Sequence, residues 1–396
     1  MIRTILAISA IFIIATIGWL ALGGTIVTRT DTQDRKLKAQ VGQLWGTPLE
    51  QKAPAGTLTW KRPTEGGPWK ETIERAEVPV VRSDIRLGLD LDMRQKGLLW
   101  YSTYRVRFAG TFVLENQSGQ AGELAMTFCF PAASGKYDDF VFEIDTRRVP
   151  ITRQASGVVT STISCLAGER HTVRIGYVSQ GLDRYVYRFG KGIDEVRDFQ
   201  LVATTDFDGF DFPANTISPT QKARAGTGWN LTWKYTDLIS GNGIGIEMPQ
   251  RIDPGPMAAR ISFFAPVSLG FFFFLTFVIA VLKDVRIHPI NYFFLACAFF
   301  AFHLLLAYLV DHLSIHAAFL VCSAVSVFLV VSYMRIVVGN RFAFVETAIA
   351  QLIYLVGFSY AFFFEGFTGL TVTIGAVVTL FVVMQLTAKI DWSNQF

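Results

Sequence analysis

Ile261-Ser-Phe-Phe-Ala-Pro-Val-Ser-Leu-Gly-Phe-Phe-Phe-Phe-Leu-Thr-Phe-Val-Ile-Ala-Val-Leu282 decides the fold, because no charged side chain interrupts it. As a helix it is long enough to cross the ~30 Å hydrocarbon core of a bilayer. Four further apolar stretches follow at 291–310, 317–334, 342–364 and 370–386, with Glu346 the one acid among them. A soluble core helix can be this apolar, but five in succession read as membrane spans.

The loops between these stretches alternate in charge. Those after the first, third and fifth carry Lys283 and Arg286, then Arg335 and Arg341, then Lys389. The other two carry Asp311 and Glu365 and neither Lys nor Arg. Basic loops stay on the cytoplasmic side, so the C-terminus is expected inside.

A sixth apolar stretch, 4–27, follows Arg3. It reads either as a signal peptide or as an uncleaved anchor. The anchor is preferred, because the stretch exceeds the usual length of a signal core and offers only a weak small-residue site at 21–24. In both cases residues 29–256 are expected outside the cytoplasm, which in a bacterium is the periplasm. Three domains are therefore expected: an anchor over 1–28, a periplasmic β-rich domain over 29–256 and a five-helix domain over 257–396.

Charge follows the same division. Residues 29–256 hold 29 of the 36 Lys and Arg and 27 of the 32 Asp and Glu, a net of about +2. This modest basic balance is no evidence for nucleic acid, which would call for a clustered basic face, and no nucleic-acid partner is expected. The few basic residues elsewhere mostly set topology.

The large segment reads as strands. Between 100 and 114, Trp100, Tyr104, Val106, Phe108, Phe112 and Leu114 occupy even positions while Thr103, Arg105, Arg107 and Thr111 occupy odd ones. A period of two marks a strand with one buried face. The pattern recurs at Leu124 to Phe130, Phe140 to Ile144, Val173 to Tyr177, Tyr185 to Phe189 and Trp229 to Tyr235. About eight strands suit a β-sandwich, with room for a second small lobe. Residues 31–95 are read as a short helix followed by irregular chain, and 251–257, with Pro254 and Pro256, as the linker into the membrane.

Few residues carry candidate chemistry. Asp206, Asp208 and Asp211 bring three carboxylates within six residues around Gly209, as calcium loops do, but the distant Glu of an EF-hand is missing. A polar turn with buried Phe207, Phe210 and Phe212 is the simpler reading. Cys129 and Cys165 lie in the segment expected outside, where a disulfide between them and a pair of buried free thiols are equally open. Cys297 and Cys322 read as small packing residues within helices.

Asp311, His312 and His316 fall at an outer helix end. Two His four apart can share a metal, yet the Glu of the zinc-protease helix is missing. Capping of the next helix by Asp311 or Ser314 suffices. His303 lies mid-span, where an ionisable group is a functional hypothesis, set against a simple hydrogen bond to Tyr308 or Gln351. Glu346, one turn inside the cytoplasmic boundary next to Arg341, is expected either to snorkel or to pair. No P-loop, Gly-x-Ser-x-Gly elbow, dinucleotide fingerprint or zinc-protease helix is present in the sequence, and no cofactor, metal or enzymatic activity is expected.

Several stretches resemble the CreD family of inner membrane proteins. They are His288-Pro-Ile-Asn-Tyr-Phe-Phe-Leu-Ala, Leu304-Leu-Leu-Ala-Tyr-Leu-Val-Asp-His-Leu, Tyr333-Met-Arg335 and Gln385-Leu-Thr-Ala-Lys-Ile-Asp-Trp392, with 204–220 in the β-rich segment. Where such proteins most often carry Glu-His, this chain has Asp311-His312, and Ala388 and Ser393 depart from the usual tail. The resemblance implies a role in cell-envelope integrity and stress response, and no catalytic residue. Two functions are carried forward. The first is a non-enzymatic envelope protein whose β domain binds a wall, lipid or protein partner through a rim near Tyr101, Arg105 and Arg107. The second is a small transporter or intramembrane enzyme that works through His303, Asp311 and His312. A sensor is disfavoured, because the loops expected in the cytoplasm are only a few residues long.

Overall fold

The computed structural model describes residues 2–63, 71–96, 99–153, 156–190, 194–364 and 366–388. Among the described residues a first helix, α1 (Ile2–Trp45), leads into sixteen strands. These are β1 (Leu49–Lys52), β2 (Ala55–Pro63), β3 (Glu71–Val78), β4 (Val80–Lys96), β5 (Leu99–Glu115), β6 (Gly122–Cys129), β7 (Tyr137–Ile144), β8 (Arg147–Arg148), β9 (Thr152–Arg153), β10 (Val158–Cys165), β11 (Arg170–Leu182), β12 (Arg184–Arg188), β13 (Asp194–Thr205), β14 (Gln221–Ala225), β15 (Gly228–Ser240) and β16 (Ile244–Glu247). Five helical stretches follow: α2 (Pro254–Leu282), α3 (Pro289–Leu309), α4 (Ile315–Val337), α5 (Phe342–Phe363) and α6 (Thr368–Thr387). The chain is a membrane protein of mixed class, and it divides into two units, 36–251 and 1–35 with 252–396.

In the β unit, an eight-stranded sheet has the order β14-β15-β13-β4-β5-β11-β7-β8, and a five-stranded sheet the order β3-β2-β6-β10-β9. A small third sheet runs β1-β12-β16. All three contribute to one core. Phe108, Phe112 and Tyr177 from the large sheet, Leu124, Met126 and Phe128 from the second, and Tyr187 and Ile246 from the third belong to the same buried cluster. Period-two alternation in β5 places Val106, Phe108 and Phe112 inside and Arg105 and Arg107 outside. The arrangement is sandwich-like, as the alternation predicts.

Residues 31–95 differ from the expected short helix and irregular chain. Here α1 continues to Trp45, and β4 is a 17-residue strand inside the large sheet, antiparallel to β5 and parallel to β13. Its buried set is Ile85, Leu87 and Leu89, each separated from the next by one polar or small residue. The end of α1 is amphipathic enough to pack. Val41 is fully buried and forms a small cluster with Leu99, Tyr101 and Leu182, flanked by Leu37 and Trp45. Tyr101 is therefore buried and cannot serve in the exposed rim expected around it.

A buried tyrosine network crosses this core. Gln51, with no exposed surface, accepts from the Tyr177 hydroxyl at 2.9 Å and donates to the Cys129 carbonyl at 3.1 Å. The Tyr185 hydroxyl lies 3.4 Å from that of Tyr177. Burial raises the pKa of Tyr104, Tyr177 and Tyr185 well above that of a free phenol, so all three are neutral donors.

In the helical unit, α1 to α5 are each long and apolar enough to cross a membrane, and the core of α6 is a shorter apolar helix. Glu365 and the tail from Lys389 to Trp392 lie outside the described residues. Pro at the start of α2 and of α3 fits the first helical turn, where no N–H is needed. Gly23 allows α1 to approach α2, since a Cβ there would lie 2.8 Å from the Phe263 ring.

Candidate functional site

The polar residues within the helices form a seam. The Ser326 hydroxyl in α4 donates to the Ala298 carbonyl of α3 at 3.2 Å, and Gln351 Nε2 in α5 donates to Ser326 Oγ at 2.9 Å. Tyr354 and Thr379 share a hydrogen bond of 2.7 Å between α5 and α6, while Ser268 in α2 bonds the Tyr354 carbonyl. Such bonds replace the hydrophobic drive that lipid does not supply, at about 0.6–2 kcal/mol each. Gln351 sits where two π-type turns, Phe342–Thr347 and Leu352–Gly357, flank one α turn. Widened turns of this kind re-aim side chains.

His303 is fully buried in α3, where its Nδ1 lies 2.9 Å from the Phe299 carbonyl of its own helix. Its Nε2 has no hydrogen-bond partner. The expected partners are elsewhere: Gln351 bonds Ser326, and Tyr308 is exposed and lies 5.7 Å from the Arg29 guanidinium. The Trp19 ring of α1 meets His303 edge-on at 5.6 Å, and Trp19 Nε1 is also buried without a partner. Two buried nitrogens without partners are costly to leave unpaired in an apolar core.

Asp311 does not cap the next helix. Ser314 does so, accepting from the Ala317 N–H at 3.4 Å. Asp311 instead pairs with Arg29 of α1 at 2.9 Å, and Arg29 also donates to the Ala307 carbonyl at 3.2 Å. His312 is exposed, and His316 stacks near Phe363 at 5.0 Å rather than joining His312. His303, Asp311 and His312 thus have different surroundings: a buried core side chain, an ion pair with Arg29 and an exposed surface residue. Glu346 pairs with Lys283.

The three-carboxylate loop is also dispersed. Asp206 accepts the Leu91 N–H at 2.8 Å. Asp208 accepts from Trp229 Nε1 and from Arg224, each at 2.9 Å, and Asp211 accepts the Phe212 N–H at 2.8 Å. The hydrogen bond from Trp229, then those from Arg224 and Gly209, hold the Asp208 carboxyl below the usual range. The three carboxylates thus have separate partners: a backbone N–H of β4, two side chains around β14 and β15, and the N–H of the next residue.

Cys129 and Cys165 are free thiols. They lie on paired strands at opposite ends, since Cys129 opposes Val158 while Cys165 opposes Gly122. Seven residues at ~3.3 Å each separate those positions, far beyond the reach of a disulfide, so no bridge joins them. On the outer face of the large sheet, Arg107 forms a two-pronged pair with Asp90, and Arg105 is exposed beside it. Sequence reasoning missed Arg29, which was counted only among the 29 basic residues of the segment 29–256.

Comparison with known proteins bears on the C-terminal part of the chain. The family described as Inner membrane protein CreD matches residues 218–393. The stretch 204–217, which also resembled that family, lies outside the match. No curated protein matches the sequence. Among solved structures, a Legionella pneumophila protein with a provisional nutrient-binding description aligns at TM-score 0.34 and 9% identity, over 57% of this chain and 75% of that one. A variant of an M1 zinc metallopeptidase from Deinococcus radiodurans aligns at TM-score 0.28 and 10% identity, over 43% of this chain and 42% of that one. The chain thus spans less than half of the metallopeptidase. Likenesses this weak bear on neither fold nor activity. From Ser218 to the tail, the strands β14 to β16 and all five later helices carry the pattern of the CreD family of inner membrane proteins, which this chain resembles.

Proposed function

We propose that this chain contributes to cell-envelope integrity and the envelope stress response as a CreD-like protein, without catalysing a reaction. Its β unit binds a wall, lipid or protein partner on the outer side, and its helices hold that unit at the membrane. The family match over 218–393 is the observation that carries the reading. A β unit with its own core, borne by apolar helices, suits an anchored binding module. The alternating basic loops support a topology with both termini in the cytoplasm and the segment 29–256 in the periplasm. The anchor over 1–28 and the helical domain over 257–396 complete that division.

Deleting 36–251 while keeping the helices should abolish envelope protection in cells under β-lactam stress. Protection that survives the deletion refutes the reading. Crosslinking in the native membrane should attach a reproducible wall enzyme, lipid or glycan to the β unit.

The orphan nitrogens of Trp19 and His303 favour a second reading, in which the helices move a small polar solute or act on one. His303→Ala together with His312→Ala tests it, and an unchanged envelope phenotype removes it.

A further inference from the structure

In the β unit, Cys165, Glu169 and His171 each present one ligand atom, and these atoms all lie within 4.8 Å of one another. Cys165 ends β10 in the five-stranded sheet, and His171 is the second residue of β11 in the eight-stranded sheet. The turn between them therefore carries the chain from one sheet to the other. Asn116, 1% exposed, holds that turn: its Nδ2 donates to the Leu166 carbonyl at 2.8 Å and its N–H to the Glu169 carbonyl at 3.0 Å. The Gly168 N–H returns a bond to the Asn116 carbonyl at 2.9 Å. Gly168 has φ +72°, which a side chain would resist.

The two nitrogens of His171 have different surroundings. Nδ1 lies 2.7 Å from Asp145 Oδ2, and the other oxygen of that carboxylate accepts the Thr172 N–H at 2.8 Å. Asp145 and Thr146 form the two-residue turn between β7 and β8, both at positive φ. Nε2 is buried without a hydrogen-bond partner and faces Glu169 Oε2 at 3.6 Å, while the His171 side chain is only 8% exposed. Glu169 Oε2 also accepts the Leu166 N–H at 2.7 Å, which aims the carboxylate across the turn. The Cys165 residue is 2% exposed.

We propose that Cys165, Glu169 and His171 bind a divalent d-block cation of the zinc type, with Asp145 as the positioning residue behind His171. One sulfur, one imidazole and one carboxylate form a donor set that Zn²⁺ accepts, leaving a fourth position open to water. Bond lengths of about 2.0–2.3 Å place tetrahedral donors roughly 3.3–3.8 Å apart, so side-chain shifts of about 1 Å close the site. A carboxylate on the far nitrogen of a metal-bound His fixes its tautomer, as Asp145 is placed to do. Charge also closes. The cation displaces the Cys165 S–H proton to solvent, and thiolate plus carboxylate then neutralise two positive charges with no electron transfer.

The test uses the full chain in detergent, stripped with a chelator and titrated with Co²⁺. One equivalent should produce a thiolate-to-cobalt charge-transfer band in the near ultraviolet, which Zn²⁺ then displaces. Cys165→Ser should lose the band, while Cys129→Ser keeps it. Asp145→Asn, which leaves every ligand in place, should keep the band and weaken affinity about 10–100-fold. His171→Gln should lose tight binding with its circular dichroism unchanged, which separates loss of a ligand from loss of fold. The absence of any band, or a band that persists in Cys165→Ser, overturns the proposal.

Discussion

Arg29 in α1 donates from Nη2 to Asp311 Oδ1 at the end of α3 at 2.9 Å, a contact that spans 282 residues of sequence. Both side chains are about a quarter to a third exposed, so the pair contributes about 1 kcal/mol at most. Its value is in pinning α1 against α3. Arg29→Glu and Asp311→Arg should each lower the thermal stability of the purified protein, and the double variant should recover most of the loss. A double variant as unstable as the sum of the singles would show that the pair does not couple.

Within the β unit, Gln51→Leu leaves the Tyr177 hydroxyl without its acceptor and the Cys129 carbonyl without its side-chain donor. Orphaning buried polar groups costs about 1–3 kcal/mol, and that loss is expected in urea unfolding followed by tryptophan fluorescence. Adding Tyr177→Phe removes one orphan and should restore part of the stability.

Gly23 tests the seat of α1. Gly23→Ala places a methyl 2.8 Å from the Phe263 ring, so helix or ring must shift. The expected result is a lower melting temperature, relieved when Phe263→Ala is made in the same chain. A neutral Gly23→Ala would mean that the two helices are not closely packed there.

Asp208 gives a pH dependence with a defined sign. Its folded pKa lies below the ordinary aspartate value, because Trp229, Arg224 and Gly209 bond the ionised form. Its stabilisation is therefore complete above the ordinary value and disappears as pH falls through the lowered one. Asp208→Asn should flatten the acid limb of the stability profile and leave the neutral region little changed. A profile that keeps its acid limb would assign that slope to other carboxylates.

The helices were legible because a long apolar run in lipid has one solution, and the family resemblance rested on residues at their ends. β5 was legible because its buried set, Tyr104, Val106, Phe108, Phe112 and Leu114, is wholly apolar or aromatic at even positions. β4 was not: Asp84, Arg86, Asp90 and Asp92 surround Ile85, Leu87 and Leu89, and that charge density masked an equally strict alternation. Tyr101 was misplaced because a strand periodicity cannot show that the end of α1 covers the second face at Leu99 and Leu182. Asp311 was seen but given the wrong partner, since Arg29 is distant in sequence. The Cys165-Glu169-His171 group was missed although Cys and His flank a Gly turn six residues apart, because Cys165 had been read only for pairing with Cys129.

The parallel pairing of β4 with β13 has a consequence for biogenesis. β4 and β5 form their hairpin early, but the strand that completes the other side of β4 arrives only at residues 194–205. A chain delivered from its N-terminus thus holds a long, unfilled strand edge while about a hundred residues are still emerging, a state prone to pairing with the wrong neighbour. Slowing delivery before Thr205 should therefore raise aggregation more than slowing it afterwards.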